Sequence, residues 1–287
     1  MAEFQDQNSL ISLPLYRKKK YCIVGARVHP GETPASWMMQ GFLKCLTGTS
    51  YQAEQLRKRV IFKIVPMVNP DGVVIGNYRT SMAGCDLNRR YDDPDFRFHP
   101  TVWSIKNMCE DLTQGDLSRG FGPITSPDDI IAFIDMHGHS RKKNVFIYGP
   151  PLPLHSSKYL QVRVIPKLLS EETEMFRFFG CRFQNDLCKA RAARIVLWKE
   201  LAINNCFTLE ASFHSYFDSK KINHEFTTKA YEEMGAGLVN SLYEYMMILE
   251  EEDRKKQLKK IAKIKRVNKD SELTRIKSPQ VKLLKSS

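Results

Sequence analysis

The chain has 287 residues, 42% of them hydrophobic, and a formal net charge of +12. That is enough apolar material for one sizeable core plus an appendage, and no run of about 18 apolar residues is present to cross a bilayer as a helix. Seven scattered cysteines form no Cys-x-x-Cys pair, and residues 1–13 carry no apolar signal core, which argues against a disulfide framework or a Cys-rich zinc module and for reduced thiols in the cytosol.

Residues 1–19 read as an irregular N-terminal segment. The first strand is expected over Tyr21–Ala26, followed by His29-Pro30-Gly31-Glu32. A histidine and a glutamate three apart either bind one metal ion or lie in a solvated turn. Thr33 reads as an N-cap with Pro34 at the first helical position, so a helix is expected from Pro34 to Leu46. The turn between strand and helix is tight, and Gly31 permits it. A second strand is expected over Val60–Val65. The stretch from Asn69 to Pro100 is rich in Gly, Asn, Asp and Arg, and so long a loop in a compact domain is usually functional. It contains Asn77-Tyr78-Arg79 and Asp86-Leu87-Asn88-Arg89-Arg90, and arginine forks of this kind suit a substrate ending in a carboxylate.

A helix is expected over Pro100–Leu112 and a strand over Ile130–Met136. That strand delivers Asp135-Met136-His137-Gly138-His139 into a turn, making His137 a candidate third metal ligand; His139 points the same way only if the strand continues. Further strands are expected over Asn144–Tyr148, Ile195–Trp198 and Cys206–Leu209, and a long helix over Leu160–Phe178. Glu210 follows the last of these strands. A carboxylate at a buried strand end is either paired with an arginine or employed, here as a general base toward water. A final helix is expected over Phe226–Glu252. Strands alternating with helices make an α/β layered domain the natural class.

The tail is where most of the basicity lies. From Glu250 to Ser287 there are 13 Lys or Arg and 6 Asp or Glu, leaving +5 for the rest of the chain. Residues 253–287 read as a basic, helical to disordered tail. It is either a solvated helix with a disordered end or an electrostatic handle for an acidic partner. No aromatic side chain is interleaved there, which argues against nucleic acid as that partner.

Together these segments resemble the M14 zinc carboxypeptidases, and within them the cytosolic carboxypeptidases. The resemblance rests on Ala26 to Glu32, Pro66 to Val73, Gly76 to Arg79, Asp86 to Arg89, Asp135 to Ser140 and Thr208 to Glu210, in the family's order, and covers roughly Lys20 to Glu250. It implies a mixed, mostly parallel central sheet with helices on both faces over residues 20–252. It implies one Zn2+ held by His29, Glu32 and His137, with Glu210 as general base and Asp86 fixing the His29 imidazole. Arg79 would polarise the scissile carbonyl, and Asn88 and Arg89 would hold the terminal carboxylate. Family members like this one remove glutamate from polyglutamylated side chains or C-terminal tails, notably of tubulin, in the cytosol. Such a substrate needs a cation for its side chain, and Arg194 is the candidate. The family's helix and edge hairpin before the first ligand strand have no counterpart in the twenty or so residues ahead of Tyr21, so an N-terminally shortened form is expected. The alternatives are an inactive form that binds acidic tails without cutting them, and an amidase or deacylase for small carboxylate substrates.

Overall fold

The computed structural model describes residues 19–115, 122–184 and 186–276, with the backbone alone from residue 260 onward. Residues 1–18 of the segment expected to be irregular and residues 277–287 of the expected tail lie outside the described residues. The chain divides into two compact units, Met1–Tyr243 and Glu244–Ser287.

The first unit is built on five strands: β1 (Lys20–Ala26), β2 (Val60–Val65), β3 (Ile130–His139), β4 (Val145–Tyr148) and β5 (Cys206–Ser212), in the order β2-β1-β3-β5-β4. β2, β1, β3 and β5 run parallel, and β4 returns antiparallel to β5. β3 is buried along almost its whole length, and its first half, Ile130–Ile134, is a continuous apolar run, as in a parallel strand covered on both faces. The helices are α1 (Thr33–Thr47), α2 (Tyr51–Arg59), α3 (Pro70–Ile75), α4 (Pro100–Thr113), α5 (Val164–Glu172), α6 (Ala193–Leu201) and the first turns of α7 (Thr228–Ile276). Tyr21, Ile23, Phe133 and Cys206 form one core with Val102 and Ile105 of α4 and Val196 and Leu197 of α6. α1 packs on β1, β3 and β5. A small hairpin, β6 (Ser215–Phe217) and β7 (Asn223–Glu225), completes the unit.

Several local expectations are corrected. Ile195–Trp198 is not a strand but the middle of α6, which buries Ala193, Arg194, Ile195, Val196, Leu197 and Leu201. A short apolar run does not by itself separate strand from buried helix; here the good helix formers Arg194, Leu197, Lys199 and Glu200 around it decide, and Ala202, at φ 55°, ends the helix. The helix expected over Leu160–Phe178 is only α5, preceded by a 3-10 turn over Gln161–Arg163. Pro166 is tolerated because it falls in the first turn. Thr173 is extended and ends the helix, and after a turn Phe176 bridges to Val145 at the edge of β4. The polar α2, with no apolar stripe to announce it, starts at Ser50, whose Oγ accepts the Ala53 N–H at 3.3 Å.

Candidate active site

The C-terminal ends of the parallel strands share one edge of the sheet, and open α/β sheets place their sites at that edge. β1 is followed by Arg27, which holds φ 58°, a left-handed conformation costly to a residue with a Cβ. Its side chain locks the turn: Nε donates to the Pro30 carbonyl at 2.7 Å and Nη1 to Ser36 Oγ at 2.7 Å. Gly31 donates its N–H to the Tyr78 carbonyl at 2.7 Å, and a Cβ there would fall 2.4 Å from the Tyr78 ring. The glycine is needed for this close approach rather than for an unusual backbone angle.

The turn presents His29 and Glu32 to His137 of β3. Glu32 Oε1 lies 2.7 Å from His29 Nδ1, and Glu32 Oε2 lies 2.9 Å from His137 Nδ1. The two Nδ1 atoms are 3.2 Å apart, and the three ligand atoms fall within 4.8 Å of one another, all from buried residues. The Gly138 N–H also donates to Glu32 Oε2 at 2.9 Å. This explains a further correction. Thr33 is not the N-cap of α1; Glu32 occupies that position and makes no capping bond, because its carboxylate faces the two imidazoles.

Each imidazole turns its outer nitrogen to a carboxylate. His29 Nε2 is 3.0 Å from Asp86 Oδ1, and His137 Nε2 is 2.7 Å from Asp135 Oδ2. Asp86 was anticipated from sequence; Asp135 was not. The signal was available: residues two apart on a strand share a face, so Asp135-x-His137 places acid beside imidazole. Burial opposes ionisation of Glu32 and Asp86. The His137 and His29 imidazoles more than offset it for Glu32, and the His29 imidazole with Arg79 and Arg89 does so for Asp86, so both carboxyls stay well below the usual range. Two imidazoles and one carboxylate held close together, each ring braced from behind, could hold a metal ion and are the donor types that hydrolytic zinc sites use.

Glu210 lies on β5 directly across from His137 in the parallel register. Burial pushes its carboxyl up to about 7, with Glu32 and Asp135 adding to the rise and the imidazoles opposing it. His139 extends β3 and lines the same cleft, so the strand does continue; it sits outside the donor trio. The cleft measures about 330 Å³ and is walled by the donor trio, Tyr78, Arg79, Asn88, Arg89, Tyr148, Lys189, Arg194, Glu210 and Phe213, among others.

The long loop therefore does reach the site. Arg79 is fixed by Asp86 through Nε at 3.0 Å and Nη2 at 2.8 Å, and its Nη1 stands 3.9 Å from Glu32 Oε1. Asn88 is engaged on both sides. Its Oδ1 accepts the Ala193 N–H at the start of α6 at 3.0 Å, and its Nδ2 lies 3.3 Å from His137 Nε2 and 3.4 Å from Asp135 Oδ2. Arg89 Nη1 donates to the Asn88 carbonyl at 2.8 Å. Arg194, only 4% exposed, donates to Thr208 Oγ1 at 3.4 Å and stands 5.6 Å from the Tyr148 ring centre, while its Nε has no partner. A buried guanidinium with an unanswered N–H in the wall of a cleft is suited to a carboxylate.

Residues 3–156 match the family model for zinc carboxypeptidases. Cytosolic carboxypeptidase 3 of Bos taurus is 41% identical over 80% of this chain, and cytosolic carboxypeptidase 2 of Danio rerio is 40% identical over 82%. The chain spans 22% and 31% of the lengths of these two curated relatives. Among solved structures, a metallo-carboxypeptidase from Burkholderia cenocepacia superposes with a TM-score of 0.67 at 24% identity, covering 83% of this chain and 60% of that one. A metallo-carboxypeptidase from Pseudomonas aeruginosa gives a TM-score of 0.62 at 22% identity, covering 80% of this chain and 58% of that one. At such identities the structural likeness is one of fold. With fold, family model and relatives in agreement, the chain belongs to the zinc carboxypeptidase family and, within it, to the cytosolic carboxypeptidases.

Proposed function

We propose that this chain is a zinc-dependent metallocarboxypeptidase that removes glutamate from polyglutamylated side chains or C-terminal tails of proteins such as tubulin, in the cytosol. The observation that carries the reading is a single cleft holding the His29–Glu32–His137 donor trio, the Glu210 carboxyl and the incompletely partnered Arg194 cation. His29, Glu32 and His137 would hold one zinc ion, which when bound supplies a Lewis acid for the scissile carbonyl and for water.

The remaining chemistry belongs to the chain. Glu210 takes a proton from the attacking water and passes it to the leaving amine, a role suited to a carboxyl whose pKa lies near neutrality. Arg79 faces the carbonyl oxygen as negative charge develops on it. Asn88 and Arg89 take the terminal carboxylate, and Arg194 takes the glutamate side chain. Asp86 and Asp135 keep the outer nitrogens of the two imidazoles occupied, so that the inner ones would be left to hold the metal.

The deciding experiment combines metal analysis with mass spectrometry of glutamylated peptides. Zinc-loaded chain should shorten the peptides by single glutamate units and the Glu210→Gln variant should not. A loaded chain that leaves them intact sinks the reading.

Two predictions follow from particular contacts. Asp135→Asn should lower zinc affinity about 10–100-fold, as loss of an outer partner to a ligating imidazole does. Titration of chelator-stripped protein would detect this, and unchanged affinity would reduce Asp135 to a packing residue. Arg194→Gln should cut kcat/KM on glutamate-ended peptides by roughly 10²-fold and change it little on glutamine-ended ones. Equal losses on both peptides would take Arg194 out of side-chain recognition.

A further inference from the structure

The second compact unit carries a charge pattern that the cleft does not use. α7 continues to Ile276, and between Arg254 and Lys269 its sequence has nine Lys or Arg and no Asp or Glu. The first three cations are answered along the helix. Arg254 Nη2 lies 2.6 Å from Glu251 Oε2, Lys255 Nζ 3.6 Å from Glu251 Oε1, and Lys256 Nζ 3.8 Å from Asp253 Oδ1. The next four have no such recourse: three and four positions to either side of Lys259, Lys260, Lys263 and Lys265 the sequence offers no acid. Like charges recur at that spacing instead, at 255/259, 256/260 and 259/263, an arrangement that weakens a helix. A 3.6-residue period puts positions 256, 259, 260, 263 and 266 on one flank and 258, 261 and 264 on the other. A helix that repels itself along one flank gains from a polyanion laid beside it.

The choice of polyanion follows from what the segment lacks. No Phe, Trp or Tyr occurs from residue 246 to 287, so there is neither a stacking platform for bases nor an aromatic anchor for a bilayer. An acidic polypeptide asks for neither. We propose that residues 254–269 of α7 dock an acidic stretch of the same protein whose glutamates enter the cleft, an inference that rests on the glutamate-removing reading for the identity of that partner. The contact is electrostatic, so it is screened by salt.

The test uses the full chain carrying Glu210→Gln, with a polyglutamate peptide of about twenty residues as probe, at about 50 mM and about 300 mM NaCl. Binding measured by fluorescence anisotropy should weaken at least about tenfold at the higher salt. Adding Lys259→Gln, Lys260→Gln and Lys263→Gln should cause a similar loss at low salt, and arginine at the same three positions should preserve binding. Glutamine is a good helix former, so helicity by circular dichroism should hold. With Glu210 intact, the glutamine set should release glutamate from triglutamate within about twofold of the parent rate, since so short a substrate gains nothing from a remote electrostatic contact.

Peptide affinity unchanged by the glutamine set overturns the proposal. So does equal loss with arginine, or tighter binding of single-stranded RNA or phosphatidylserine vesicles than of the peptide. If charge-dependent peptide binding holds while the parent chain releases no glutamate, the docking surface stands and the reading of the reaction fails.

Discussion

Glu32→Gln is expected to cost the chain its metal while leaving its fold in place. Glu32 is the only anion in the donor trio, and its two oxygens divide between the inner nitrogens of His29 and His137. Glutamine keeps the shape, can still accept the Gly138 N–H, and lacks the charge. Zinc affinity should therefore fall by more than the roughly 10–100-fold that follows loss of an outer partner. Titration of chelator-stripped protein measures this, and affinity retained within about tenfold would remove Glu32 from the ligand set. Protons report on the same atoms. Burial works against a charged His137, but the Asp135 and Glu32 carboxylates more than offset it, holding the metal-free imidazole well above its ordinary value of 6.5. A group raised on folding stabilises the fold below its unfolded pKa, and that stability is lost as pH climbs through the folded value. Metal-free protein should thus be more stable near neutrality than in alkali. Zinc has to displace this proton, so zinc affinity should rise with pH and binding should release protons. Glu32→Gln removes one of the two carboxylates holding the proton, so fewer protons should be released per ion bound. Titration in buffers of different ionisation enthalpy distinguishes the two cases.

That the candidate ligands and the candidate base would meet was legible in the sequence because parallel strands deliver their ends to one edge. His29, His137 and Glu210 each follow an apolar run, and parallel strands carry such residues to the same edge of the sheet. The register that sets Glu210 across from His137 was not legible, since pairing depends on which strands become neighbours. Arg194 does line the cleft, but the run beside it, Ile195–Trp198, reads as a strand in the sequence: α6 is buried nearly all round, so it lacks the polar face that marks a helix. Thr33 failed as a cap for an instructive reason. Local propensity favours a threonine there, but the catalytic geometry draws the preceding carboxylate away from the helix end. Tyr148 and Phe213 could not be foreseen in the wall of the cleft, because they come from β4 and from the turn after β5. Departures from local rules cluster around the trio, where the chain gives up a cap, an ordinary backbone angle at Arg27 and a fully partnered arginine.

Glu210→Gln should lower kcat by about 10²–10⁴-fold without releasing zinc, the size of effect carried by a general base. Loss of the metal, or a change of only a few-fold in rate, would refute the assignment. The pH profile supplies an independent check. The carboxyl must be ionised to accept a proton, and burial first of all raises its pKa to about 7 in the metal-free protein. A divalent cation held by the trio favours the ionised form, so the acid limb of kcat/KM for the loaded enzyme should fall at or below 7. The same shift bears on stability, with its sign fixed by linkage. Below 4.5, the ordinary value, both folded and unfolded chains carry the proton. Between there and about 7 the unfolded chain gives it up first, so each rise in pH disfavours the fold, and above about 7 the cost is fully present. At 1.36 kcal/mol per unit that cost is of order 3 kcal/mol. Glutamine never ionises and escapes it. Metal-free Glu210→Gln should therefore melt several degrees above the parent at pH 8, the gap closing as pH falls toward 4.5. A base held near neutrality on a buried strand is one the fold would discard if stability alone were selected. A variant that is inactive yet more stable in alkali is the result expected of that trade, and an inactive variant that is less stable would make Glu210 a structural residue instead.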